Sequence, residues 1–328
     1  MKSVRERINA SLVSSMKNNI PEGENLADIL TGILNVGKES VYRRLRGEVP
    51  FTFEEVVKIS RKLRVSLDNI VNEEKEHAVF SLHLIPSIDF MEDYYKALES
   101  NHVIFNMMSK DPDSVLRLAY NTLPYGIYLR YETISKFRLY KWVYQFLKTQ
   151  TTVSLADFEV PEKILTAQKK FVENYYTISN IQIILDKNAF SSFITDINYF
   201  YRLNLISEKE IEELKEELLQ MIFNWEQLAK KGITNAGKEI NIYISNINFE
   251  ACYVHFKSKE LELSQISLYS IDTLTSLDPV ICNTHKKWID SLKRYSTLIT
   301  RSGEIERIEF FNNQRKLITE LLGTDACF

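Results

Sequence analysis

The sequence predicts a mainly α, multidomain protein: an N-terminal five-helix helix-turn-helix domain, a helical bundle region, and a small C-terminal α+β part with antiparallel strands. Three observations lead there. Glycine is scarce, 9 in 328 residues, less than half the usual ~7%, which disfavours folds built on Gly-rich phosphate loops. Apolar residues recur at helical spacing through most of 3–231. Alternating β-rich segments appear only after Gly232 and Gly237.

Residues 3–18 read as a helix with Val4, Ile8, Leu12 and Met16 on one face, ended by the turn Pro21-Glu22-Gly23. Four short helices follow, at 24–34, 38–46, 53–63 and 67–72, punctuated by Asn35 and Gly37 and then by Gly47 and Pro50. Thr52 with Glu55 makes a capping box, and Ser66 is the N-cap of the last helix. A charged stretch from Asn72 to His77 opens a linker, so the first domain is 1–72 and the linker 73–88.

Residues 89–202 hold 22 of the 38 aromatics. Helical spacing there predicts helices at 89–109, 113–121, 130–149, 161–177 and 189–204. The clearest helix is 207–231, with a Ser207/Glu210 capping box and one apolar face from Ile211 to Leu228. It closes a helical domain at 89–231 and is a candidate dimer element, although such a face ordinarily serves intramolecular core. In 232–328, INIYISNI, EACYVHFKS and ELELSQISLYSI read as antiparallel strands. Helices near 279–296 and 304–322 follow, with a further strand at 296–300. This α+β domain stands alone or joins 89–231 in one unit.

Charge is unevenly spread. The net charge is −3, yet residues 38–64 carry 8 basic and 4 acidic side chains, so a local excess of +4 falls on the helix-turn-helix. A helix-turn-helix needs two helices crossing steeply around a small core. Leu26, Ile29 and Leu30 supply it from the first helix, Val36 plugs the turn, and Val41 with Leu45 backs the second. That spacing leaves Lys38, Glu39, Tyr42, Arg43 and Arg46 outward, a face suited to the DNA major groove.

The segment Asn25–Val71 resembles the lambda-repressor-like helix-turn-helix of the Cro/C1 type, the Xre family. The resemblance rests on the Leu26–Leu34 helix, the Asn35-Val36-Gly37 turn, Val41, the run Tyr42-Arg43-Arg44-Leu45-Arg46-Gly47, and the closing pattern Phe53-x-x-Val56-x-x-Ile59 with Val65-Ser66-Leu67-Asp68-x-Ile70. It spans some 50 residues. Thr31 stands where the family often has alanine, and Asn35 replaces the turn glycine; asparagine tolerates the left-handed conformation. The resemblance implies that Lys38, Glu39 and Arg43 read bases and that Arg46 lies near a phosphate. Ser40, Tyr42 and Arg44 are further candidates for secondary or phosphate contacts. The reading is a transcriptional regulator bound to double-stranded DNA as a homodimer. Its alternative is an interaction module whose N-terminal bundle docks a partner protein.

No catalytic constellation is present. The histidines at 77, 83, 102, 255 and 285 form no HExxH, and neither G-x-S-x-G nor a P-loop occurs. The expectation is no enzyme, no cofactor and no metal. Tyr125, Tyr128, Arg130 and Tyr131 are candidates for an effector pocket for an unknown small molecule, against the simpler reading that these aromatics fill a bundle core. Apolar runs are too short for a membrane span, the charged N-terminus is unlike a signal peptide, and Cys252, Cys282 and Cys327 lack a CxxC. A reduced, cytoplasmic protein is expected.

Overall fold

A computed structural model describes residues 4–20, 24–63, 65, 67, 70, 80–83, 89–146, 153–268 and 272–322. The chain divides into two compact units, Met1–Val79 and Phe80–Phe328. The turn at 21–23, the Ser66 cap, Cys327 and the stretch 72–77 lie outside the described residues. Of the expected helix 67–72, residues 67 and 70 are described, both helical.

The first unit holds α1 (Val4–Asn18), α2 (Leu26–Leu34), α3 (Lys38–Leu45) and α4 (Phe53–Leu63). Its core is a single cluster with Leu12 and Met16 from α1, Leu26, Ala27, Leu30 and Leu34 from α2, Val41 from α3 and Ile59 from α4. These positions repeat at i, i+4 on α1 and α2, so each short helix gains its stability from one shared apolar stripe.

The second unit corrects the expected fold class. Its centre is an eight-stranded mixed sheet, not a small antiparallel appendix to a helical bundle. In chain order its elements are β1 (Ser81–His83), α5 (Phe90–Ser109), β2 (Val115–Tyr120), α6 (Tyr125–Tyr128), α7 (Glu132–Phe146), α8 (Glu162–Tyr175), β3 (Asn180–Asp186), α9 (Ala189–Arg202) and α10 (Glu208–Lys231). Then follow β4 (Glu239–Ser245), β5 (Tyr253–Lys257), β6 (Glu262–Leu268), β7 (Asp272–Ser276), α11 (Pro279–Leu292), β8 (Ser296–Leu298) and α12 (Glu304–Leu321). The strand order is β1-β7-β6-β5-β2-β3-β4-β8. β2, β3 and β4 are mutually parallel, and every other pair is antiparallel.

Two segments caused the misreading. Val115–Tyr120 falls in the expected helix 113–121, yet it is β2. Six residues are too few to separate a period of 2 from one of 3.6. Asn180–Asp186 falls between two expected helices, yet it is β3, buried on both faces: Ile181, Ile183, Ile184 and Leu185 are all fully buried. The run Asn-Ile-Gln-Ile-Ile-Leu-Asp alternates over its first four residues and then turns apolar on both faces, too short a signal to separate strand from connection. β2 and β3 come from 89–231 and β4 to β8 from 232–328, so one sheet spans both segments. Ser81–His83, placed in the expected linker, pairs with β7 at the sheet edge.

Alternation along the central strands sorts the layers. Leu116, Leu118, Tyr120, Ile181, Ile183, Leu185, Ile240 and Ile242 join the large core with helices α5 to α10 and α12. On the opposite face Ala119 and Ile184 meet Ile289 and Leu292 of α11. Helix α10, the candidate dimer element, buries Ile211, Leu214, Leu218, Met221, Ile222 and Trp225 inside this core and packs on α7 and α12. Its capping box is formed as the sequence suggests, with Ser207 accepting from the Glu210 N–H at 3.3 Å. It ends at Gly232, whose φ is +65° and where a Cβ would stand 2.4 Å from Arg301, so no other residue fits that turn without strain.

Candidate nucleic-acid interface

The interface candidate is built from α2, a three-residue turn and α3. The Asn25 side chain caps α2, accepting from the Ala27 N–H at 2.8 Å. Ile29, expected inward, is only half-buried; Ala27 and Leu34 take the inward places beside Leu26 and Leu30. Thr31 turns its hydroxyl back onto the Ala27 carbonyl at 2.8 Å, so a polar residue is accommodated where alanine was anticipated. Asn35 adopts the left-handed conformation, φ 54° and ψ 44°, and its N–H closes on the Thr31 carbonyl at 3.0 Å. Gly37 is extended and opens α3. Val36, half-buried, packs on the core from the turn.

Val41 is fully buried and pins α3 to the core. Tyr42 is half-buried and packs on that same core, one of the two roles its sequence position allows. Lys38, Glu39, Arg43 and Arg46 face solvent, with side chains 53%, 77%, 54% and 51% exposed. Each cation has an acidic neighbour. Lys38 Nζ lies 2.5 Å from Asp28 Oδ1, Arg43 Nε lies 3.4 Å from Glu48, and Arg46 bonds Glu48 at 2.6 Å and Glu39 at 3.1 Å. The hydrogen bond from Arg46 holds the Glu48 carboxyl below its ordinary range. Three exposed cations and three exposed carboxylates therefore balance across this face.

Arg44 is different. Its side chain and that of Glu55 are each 14% exposed. The guanidinium donates to both Glu55 oxygens at 3.1 and 2.9 Å, and also to the Ser40 carbonyl and hydroxyl at 3.2 and 3.0 Å. Glu55 in turn accepts from the Thr52 N–H at 2.9 Å, completing the α4 capping box. Arg44 and Ser40 thus tie α3 to the start of α4, and their polar groups are turned inward. Burial pushes the Glu55 carboxyl up, but Arg44 and the Thr52 N–H outweigh it and hold the carboxyl below the ordinary value. Replacing Arg44 with alanine strands a half-buried carboxylate and is expected to cost about 1–3 kcal/mol in urea denaturation. The pair's contribution is complete above about pH 4.3, the unfolded glutamate value, and fades as pH falls through the lower folded value. The difference between wild type and Arg44→Ala should shrink over that acid range; a pH-independent difference contradicts this account.

The four effector-pocket residues separate into two groups. Tyr125 and Tyr128 stack with ring centroids 5.4 Å apart. Tyr131 instead accepts from Asn224 at 2.8 Å, with exposed Arg130 over its ring at 5.8 Å. The cation that meets Tyr128 is Arg138 of α7, at 5.3 Å from the ring. Sequence reading passed over it; an arginine set among Phe137, Leu139, Tyr140 and Trp142 was the available signal.

Among the described residues no group of three or more His, Cys, Asp or Glu could hold a metal ion, and no helix is long and apolar enough to cross a membrane. Cys252 and Cys282 are buried free thiols. No protein-family model matches the chain, and neither curated proteins nor solved structures give a significant match.

Proposed function

We propose that this chain is a sequence-specific DNA-binding transcriptional regulator of the cytoplasm, acting as a homodimer, with α3 in the major groove of double-stranded DNA. The observation that carries the reading is the solvent-facing row of Lys38, Glu39, Arg43 and Arg46 on a helix anchored by buried Val41. Lys38 and Arg43 match guanine edges, Glu39 accepts from a cytosine amino group, and Arg46 meets a phosphate. The ion pairs on this face are exposed, so each is worth only about 0–1 kcal/mol and yields readily to a phosphate or base edge. The resemblance to Cro/C1 domains agrees with this placement. The 80–328 unit supplies the dimer contacts, the effector site, or both.

The balance of three cations against Asp28, Glu39 and Glu48 favours a second reading, in which this face docks a partner protein and no nucleic acid. Salt separates the two. With Arg46 as the phosphate contact in each half, a dimer neutralises about two phosphates, so its affinity for duplex DNA should fall about tenfold between 50 and 200 mM salt. Fluorescence anisotropy of a labelled duplex measures this. Absence of binding at the lower salt selects the partner-docking reading.

A further inference from the structure

The carboxyl end of β2 is where the sheet reverses its winding. From β2 the chain runs to β3 and β4 on one side, then crosses to β5, β6 and β7 on the other, where β5 is antiparallel to β2. In open α/β sheets such switch points, outside the carboxyl ends of parallel strands, are where ligands bind. Here Tyr120 is the last residue of β2, and Cys252, just before β5, donates to Asn121 at 3.2 Å.

Helices bring a cation to the same place. The guanidinium carbon of Arg138 lies 5.3 Å from the centre of the Tyr128 ring and 5.8 Å from that of Phe193. Among the described residues no carboxylate pairs with it; Asp196, the acid it feels, is held in a salt bridge by Lys141. Around it stand Tyr94, Tyr120, Tyr125 and Tyr128, each coupled electrostatically to Arg138. Burial pushes all four phenols up, so they are neutral donors. The hydroxyl of Tyr175, which lies against Gly126 of α6, is buried with no hydrogen-bond partner. Arg138 is partly exposed, so its guanidinium can be reached, and the nearby Asp196 is already shared with Lys141.

We propose that Arg138 and the hydroxyls of Tyr120 and Tyr128 bind the oxyanion, carboxylate or phosphate, of a small organic acid. The arginine fork meets two oxygens at once, and the phenols donate to the remaining lone pairs. The surrounding aromatic rings accommodate the organic body. That this ligand is an effector rests on the regulator reading; the binding site does not.

Thermal melting of the full chain without DNA tests it, at fixed ionic strength with chloride as the reference. Phenylacetate, phenyl phosphate and inorganic phosphate are the probes. A rise in Tm with phenylacetate assigns a carboxylate, and a rise with either phosphate probe assigns a phosphate. Arg138→Gln should abolish the rise, with calorimetric affinity weakened about tenfold to a hundredfold. Arg130→Gln should leave it intact. No rise with any probe, or an equal rise in Arg138→Gln, overturns the proposal. Where Arg138→Gln fails to melt cooperatively, Tyr128→Phe decides, since it keeps the ring under the guanidinium and removes one donor. Weakened binding then supports the site, and unchanged binding overturns it. Loss of DNA binding elsewhere in the chain does not alter these outcomes.

Discussion

Replacing Val41 with aspartate is expected to unfold the N-terminal unit. Val41 is fully buried, in the cluster that also holds Leu26, Leu30, Leu34 and Ile59. The substitution forfeits about 1.5–3 kcal/mol of apolar burial. It also sets a carboxylate inside an apolar cluster, at several kcal/mol more. A unit of this size carries about 4–12 kcal/mol in total, so the loss is comparable to the whole. Loss of amide dispersion for residues 24–63 in a two-dimensional NMR spectrum is the expected readout. A dispersed spectrum with an unchanged urea midpoint would show that α3 is not anchored as described.

Replacing Arg43 with alanine should leave that core intact and weaken binding at the preferred duplex by about 1–3 kcal/mol, or 5- to 150-fold. Its side chain is 54% exposed and pairs with exposed Glu48 at 3.4 Å, so its removal strands no buried partner there. The unfolding free energy of the free protein should stay within the range of ordinary surface substitutions, about ±0.5 kcal/mol. Preference should relax at one base pair per half-site. A uniform weakening across all sequences, with a shallower salt slope, would instead make Arg43 a phosphate contact.

The N-terminal unit was largely legible because its information is local. Asn25, Thr31, Asn35 and Gly37 lie within one stretch of chain, and each acts on neighbours two to four residues away. What escaped there was longer range. Arg44 reads like any other cation of its run, and only the return of Glu55, eleven residues later, turns it inward. Tyr42 stayed open between packing and contact for a related reason, since an aromatic at the edge of a helical stripe is claimed by whichever helix packs beside it.

The second unit was less legible because its organising contacts are not local. Most of its helices are marked by caps and apolar faces, as at Ser207 and Glu210. β2 and β3, however, are defined by pairing with each other across 65 residues and with β4 and β5 still further on. A strand such as Asn180–Asp186 alternates over only four residues before Ile184 and Leu185 fill both faces, so little of its pattern shows locally. The same remoteness hid Arg138, whose neighbours Tyr94, Tyr120 and Phe193 come from three separate elements.

The most direct test of the central claim is selection of bound duplexes from a random pool by the full chain, sequenced after several rounds. The account predicts an enriched, two-fold symmetric motif, its half-sites about one helical turn apart, and loss of one position's preference in each half-site when Arg43→Ala repeats the selection. A pool that stays random for the wild-type chain, or a motif that Arg43→Ala reproduces unchanged, would contradict it.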